Sequence, residues 1–321
     1  MSDHDNGRMN LPDLTSLQGA ARLTDWGVIR AQGADASSFL HGQLTQDVQQ
    51  LDIRSARLAG YCSTKGRLLA SLLVWRAAGD ELLLACSAEV LPATLKRLSM
   101  FVLRAKCKLS DATGSIALYG LAGAGATAWL DVAAPASPWQ RSELAGGQVI
   151  RLPDAAGVAR YLLAWSADAV APALPPMAPA AWQWLEVSAG VPRIVAATVE
   201  QFVPQMVNFE LVGGVNFQKG CYPGQEIVAR SQYRGTIKRR AFVFEIAGPA
   251  QPGQEVFHSG DAEQPAGMVV NAASLPGSHR ALVEVKLAAL EAGTLHLGAA
   301  DGPGLRRLTH QPYPVPIEAA A

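Results

Sequence analysis

The stretch GGVNFQKGCYPGQEIVARSQYRGTIKRR, Gly213 to Arg240, decides the reading of this chain. The pair Gly213–Gly214 permits a tight turn or a close approach of backbone to a ligand. Gly220 and Gly224 bracket Cys221. Pro223 suits the first turn of a helix, where its missing N–H costs nothing. Glu226 falls in that turn, where a carboxylate favours the helix dipole. The helix then runs through Ile227, Val228 and Arg230. Cys221 therefore sits at or just before a helix N-terminus, two residues from the Lys219 ammonium, and both features favour thiolate over thiol. A free cysteine is more commonly a small buried hydrophobe; the glycines and the lysine turn the reading toward a functional thiol. Further on come Arg230, Arg234, Lys238, Arg239 and Arg240, with Glu226 the only acid between Lys219 and Arg240. This local positive patch suits an anionic ligand tail or an RNA backbone, or else a solvated helix face and a guarded strand edge.

Downstream of Thr236 the character changes. RRAFVFEIAG, GMVVNAAS, ALVEVKLAAL and GTLHLGAADG are short strands between glycine and proline turns, the pattern of a small all-β barrel over 237–321. Upstream, residues 16–236 read as a two-lobed α+β region. ARLTDWGVIRAQGADASSFL gives a strand, a turn at Gly33 and a helix with Asp35 as its N-cap. LLASLLVWRAAGDELLLACS gives two apolar strands around the Ala78-Gly79-Asp80 turn. The alanine- and proline-rich segment 166–181 reads as a crossover, with a helix starting at Pro179 that turns Trp182, Leu185 and Val187 toward a core. Residues 1–15 read as a loose tail.

Bulk composition narrows the class. The 321 residues are 49% hydrophobic and 17% charged, with 27 basic and 27 acidic side chains. That composition folds, and its zero net charge gives no whole-protein attraction to nucleic acid or anionic membrane. Cys62, Cys86, Cys107 and Cys221 form no C-x-x-C pair, so no metal site is expected from this chain alone. MSDHDNGRMN has no apolar core of a secretory signal, and the apolar run Leu68–Trp75 is far short of the roughly 20 residues that span a bilayer. A cytoplasmic protein with no membrane partner is the simplest reading.

KGCYPGQEIVAR at 219–230 resembles the K-G-C-Y-x-G-Q-E signature of the YgfZ family. GADASSFLHGQLTQDV at 33–48, KGRLLASLLVWR at 65–76, SAGVPRI at 188–194 and QFVPQMVNFELVGGVNFQKG at 201–220 resemble blocks of the glycine-cleavage aminomethyltransferases. The resemblance runs from about residue 20 into the C-terminal barrel. It implies two intertwined α/β lobes with antiparallel and mixed sheets plus a C-terminal β-barrel, arranged as a ring around a central folate channel. It implies tetrahydrofolate or a one-carbon derivative as ligand. It also implies a supporting role toward iron–sulfur enzymes or their assembly proteins, met transiently, with tRNA-modifying enzymes among them and tRNA itself only indirectly.

Residue by residue, the signature implies Cys221 as the functional thiol, tuned by Lys219, in a loop shaped by Gly220 and Gly224 and oriented by Tyr222 and Gln225, with Gly220, Tyr222, Gly224, Gln225 and Glu226 also expected to contact the folate. Gln205 and Asn208 fall in a segment expected to face the channel, where an amide suits a pterin edge. Lys65, Arg67 and Arg230 are candidates for the folate glutamate tail. The pattern also departs from the transferases. Ala70 and Ser71 stand where those enzymes carry an acidic pair, and Ser188 stands where relatives carry an acid before Ala189-Gly190, with Glu186 one helical face away. The missing acid argues for an accessory protein over an active aminomethyl or methyl transferase and for a weakened grip on the pterin. An RNA- or protein-binding module using the 230–240 cations and a cysteine hydrolase are the remaining alternatives.

Overall fold

The computed structural model describes residues 17–317. Residues 1–15, expected as a loose tail, lie outside the described residues. Two five-stranded sheets and a closed barrel make up the molecule, and every strand pairing is antiparallel. The chain enters the first sheet with β1 (Gly19–Arg22) and crosses at once to the second, made of β2 (Trp26–Gln32), β3 (Ala56–Cys62), β4 (Leu68–Ala78), β5 (Glu81–Ser87) and β6 (Lys108–Asp111). It then returns with β7 (Ile116–Ala122), β8 (Arg141–Leu144), β9 (Gly147–Ala155) and β10 (Val158–Ser166) to complete the first. The strand orders are β1-β7-β10-β9-β8 and β3-β4-β5-β2-β6, so the two lobes are intertwined.

Strand periodicity sets what each sheet face meets. Successive side chains point to opposite faces. On β4, Ala70, Leu72 and Val74 join the cluster that holds Leu40 of α1 (Ala36–His41) and Leu98 of α2 (Leu91–Val102). Leu73 and Trp75 join a central cluster instead. On β10, Tyr161 and Leu163 pack with Ala126 and Leu130 of α3 (Ala124–Leu130), while Leu162 and Ala164 face the centre. The central cluster also takes Trp182, Trp184 and Leu185 of α4 (Pro179–Ser188). A Cβ on Gly120 of β7 would lie 2.3 Å from the Trp182 ring, so only glycine lets that indole rest on the sheet.

After α5 (Gln225–Tyr233) the barrel runs β11 (Arg239–Ile246), β12 (Glu255–His258), β13 (Asp261–Leu275), β14 (Ser278–Lys286), β15 (Leu295–Leu297) and β16 (Gly304–Arg307), closed in the order β11-β14-β13-β12-β15-β16. Phe242, Phe244, Val269 and Val283 fill it, while Ala241, Val243, Val270 and Leu282 point outward into the central cluster. The Ala/Pro-rich crossover is pinned along the outer edge of β1: Ala20 N donates to Pro175 O at 2.9 Å and Met177 N donates to Ala20 O at 2.9 Å. No helix among the described residues is long and apolar enough to cross a membrane.

Two local expectations are corrected. Asp35 is the residue before α1, yet it makes no side-chain cap; its carboxylate accepts from Lys106 N at 2.7 Å, fastening the β2–α1 turn to the start of β6. Pro223 is not in the first turn of α5. Gly224 caps that helix in the left-handed region (φ 79°), and its Cα packs against Gly66, where a Cβ would meet Ser63 O at 2.3 Å. The backbone of the β3–β4 turn packs so closely on Gly224 that the cap position admits no side chain, and the helix starts one residue later, at Gln225.

Candidate functional site

Two separate constellations carry chemistry: a cavity at the centre of the ring and an exposed thiol loop on α1 and α5. The cavity has a volume of about 290 Å3 and is bounded by both sheets, α4 and β13. Trp26, Trp139 and Trp182 give it aromatic walls; Glu186, Arg160 and Arg193 give it charge. Arg160 faces it because it shares the central face of β10 with Leu162 and Ala164. Ser71 faces it because it lies on the same side of β4 as Leu73, whereas Ala70 points to the helices. Of the two positions lacking an acid, only Ser71 therefore reaches the cavity. Its hydroxyl accepts from Ile194 N at 2.9 Å.

Glu186 and Ser188 take opposite sides of α4. Two residues along a helix turn the side chain by about 200°. Ser188 Oγ donates to Trp184 O at 2.6 Å and accepts from Arg280 Nη1 at 2.8 Å, so it docks the barrel. Glu186 lines the cavity, with Oε2 3.8 Å from Arg193 Nη2. Arg193 is itself held by Asp25 at 2.6 Å and stacks over Trp26. Burial pushes the Glu186 carboxyl above the ordinary carboxylate range, against the pull of Arg193 and Arg160. Ser188, where the sequence lacks an expected acid, faces the barrel, and Glu186, two positions upstream, is the α4 carboxylate that lines the cavity.

The thiol loop is built differently. Cys221 is exposed, while Cys62 and Cys86 are buried and Cys107 is intermediate. Burial pushes the Cys62 and Cys86 thiols up to about 12 and holds them protonated. Lys219 does not serve Cys221 by a hydrogen bond. Its ammonium donates to the carbonyls of His41 and of Leu44, the latter at 2.7 Å, and lies 5.0 Å over the Tyr222 ring. Burial lowers its pKa to about 8, against the pull of Asp47 and Cys221. His41 Nδ1 meets Asp47 Oδ1 at 3.1 Å. A Cβ on Gly220 would lie 3.6 Å from His41 Nε2, so the imidazole borders the loop next to Cys221.

Gln205 and Asn208 do not line the cavity. They are buried, with Gln205 Nε2 donating to Val228 O at 2.9 Å and Asn208 Nδ2 to Ala241 O at 2.6 Å, so their amides join α5 and the barrel to the lobes. Gly220, Tyr222, Gly224, Gln225, Glu226, Lys65, Arg67 and Arg230 also lie away from it, around the thiol loop and the β3–β4 turn that packs on α5. Arg67 Nη1 donates to Glu200 O at 3.2 Å and also to Gln201 O, whereas Lys65, Glu226 and Arg230 are exposed. The 230–240 patch shrinks in the fold: Arg239 pairs with Glu284 at 3.0 Å and Arg240 with Glu210, leaving Arg230, Arg234 and Lys238 exposed. From the sequence, Trp182 is legible only as a core residue and no cavity role falls to Arg160 or Arg193; one signal was available, a single arginine inside the apolar strand VARYLLAW. Among the described residues, no group of three or more His, Cys, Asp or Glu side chains is arranged to hold a metal ion.

Comparisons with known proteins agree with this architecture. A tRNA-modifying protein YgfZ of Edwardsiella ictaluri is 35% identical, with 69% of this chain and 69% of that protein covered. Its namesake in Cronobacter sakazakii is 28% identical, with 93% of both covered. The crystal structure of the glycine cleavage system aminomethyltransferase T from Bartonella henselae superposes with a TM-score of 0.73 at 18% identity, over 93% of this chain and 87% of that one. No family model matches the chain. The lobes, the barrel, the signature loop and the relatives together show that this chain belongs to the YgfZ family.

Proposed function

We propose that the central cavity binds tetrahydrofolate or a one-carbon derivative, and that the exposed Cys221 loop supports iron–sulfur enzymes, tRNA-modifying ones among them, as an accessory rather than a transferase. The observation that carries the folate reading is Glu186, a half-buried carboxylate in a cavity walled by indoles. Such a carboxylate accepts from the amino-pyrimidine edge of a pterin, and the indoles supply flat apolar area for its ring. Ser71 offers a neutral hydroxyl where a transferase would place an acid, so the cavity holds a ligand without the carboxylate that stabilises a developing cation. The thiol reading rests on exposure: Cys221 alone of the four cysteines meets solvent freely.

Anaerobic calorimetry with tetrahydrofolate and 5-formyltetrahydrofolate tests the ligand. Saturable one-site binding that survives in Cys221→Ala and weakens in Glu186→Gln is the expected result. Absence of binding to the wild-type protein at millimolar ligand would reject it. For the thiol, Cys221→Ala introduced into cells lacking the wild-type protein is expected to lower the activity of iron–sulfur tRNA-modifying enzymes while folate binding persists; full activity would reject that role.

A further inference from the structure

Four arginines are buried among the described residues: Arg141, Arg160, Arg240 and Arg280. Three have a carboxylate. Arg141 pairs with Glu143, Arg240 with Glu210, and Arg280 lies 3.9 Å from Glu245. Arg160 has none within ion-pair distance among the described residues, although it is only 2% exposed. Its Nε donates to Pro153 O at 3.0 Å, and its guanidinium lies 5.3 Å from the Trp182 ring centroid. Among the described residues its two Nη groups make no hydrogen bond, and they are not sealed off, so they open on the cavity that Arg160 lines. A guanidinium stays charged at neutral pH, and a buried charge without a partner is strongly unfavourable. Glu186, which lines the same cavity, attracts Arg160 through space, but its ion-pair contact is with Arg193 at 3.8 Å.

We propose that Arg160 reads an oxygen acceptor on the cavity's ligand, donating from its Nη groups while Glu186 takes the donor edge. This rests on the folate reading and adds a requirement to it: a pteridine that offers only donors leaves Arg160 unmatched. The shared chemistry is a carbonyl-type oxygen, carried either by the 4-oxo group of the pteridine or by a formyl group on N5. The planar fork makes the recognition directional, which a lysine ammonium does not reproduce.

The test is calorimetry of wild type, Arg160→Gln and Arg160→Lys with four probes: 5-methyltetrahydrofolate, 5-formyltetrahydrofolate, folic acid and its 4-amino analogue aminopterin. Removing a hydrogen bond from a charged donor is expected to cost about 10–100-fold in affinity. If the ring oxygen is read, Arg160→Gln weakens the 5-methyl and 5-formyl compounds alike and loses the wild-type preference for folic acid over aminopterin. If the formyl oxygen is read, only 5-formyltetrahydrofolate weakens. Arg160→Lys falls between. The Tm of ligand-free Arg160→Gln is expected to equal or exceed that of wild type, because an unmatched charge has been removed. Wild-type affinity for all four probes in Arg160→Gln overturns the proposal and leaves the folate reading standing, whereas failure of wild type to bind any probe overturns both. Where Arg160→Gln does not fold, Arg160→Lys alone decides, and an unchanged affinity in it overturns the proposal.

Discussion

Cys221 differs from its three sister cysteines by exposure, and this makes a direct experiment. In the native protein iodoacetamide is expected to add once and fast, at Cys221, and intact mass of Cys221→Ala is expected to lack that adduct; Cys62 and Cys86 react only on unfolding. Lys219 illustrates what one residue's neighbours in sequence conceal. Its spacing suggested an ammonium beside the thiol, but its partners are carbonyls of residues 41 and 44, which no local pattern connects to it. Lys219→Met is therefore expected to cost about 1–3 kcal/mol, read by urea unfolding. The pH dependence has a definite sign. The folded protein holds the Lys219 proton less tightly, at about 8 against an ordinary 10.5, so stability rises as pH increases through that window and is lost as pH falls through about 8. Urea midpoints of wild type minus Lys219→Met should grow between pH 8 and 10; a constant difference would contradict this.

The element on which the molecule turns is α4. Its start at Pro179 and its buried Trp182 and Leu185 were legible from proline placement and helical spacing. Which polar residue faces the cavity was not, because that depends on the helix's rotation between sheet and barrel. Glu186 and Ser188 should consequently separate two properties. Glu186→Gln is expected to weaken folate while leaving stability equal or higher, since it removes a half-buried carboxylate held above its ordinary pKa. Ser188→Ala is expected to leave folate affinity intact and to cost about 1–3 kcal/mol, because Arg280 loses an acceptor. Gly120→Ala, whose methyl would strike the Trp182 ring, is expected to cost about 1–3 kcal/mol and to reduce ligand affinity as the indole shifts.

Across the whole molecule, one hydrophobic cluster joins residues of both sheets, α4 and the barrel exterior. Lobes and barrel should therefore unfold together, with calorimetric and van't Hoff enthalpies in agreement; two resolved transitions would show otherwise. The ring architecture was readable from the signature blocks and from the alternation of short strands. The cavity was not, because its residues come from stretches scattered between Asp25 and Ala272 that only the topology brings together. Glu284, facing Arg239 at 3.0 Å, carries a carboxyl that burial raises to about 7. Its contribution to stability is full below the ordinary 4.5 and falls as pH rises to about 7, and Glu284→Gln should lack that slope. Finally, α4 sends two indoles in different directions: Trp182 into the cavity wall beside Arg160, and Trp184 against Arg280 of the barrel at 3.8 Å. The helix thus carries its own pair of optical probes. Five other tryptophans emit beside them, two in the same cavity wall, so the signal is read as a difference: wild type minus Trp182→Phe reports the indole at the cavity, and wild type minus Trp184→Phe reports the indole against the barrel, with no label added.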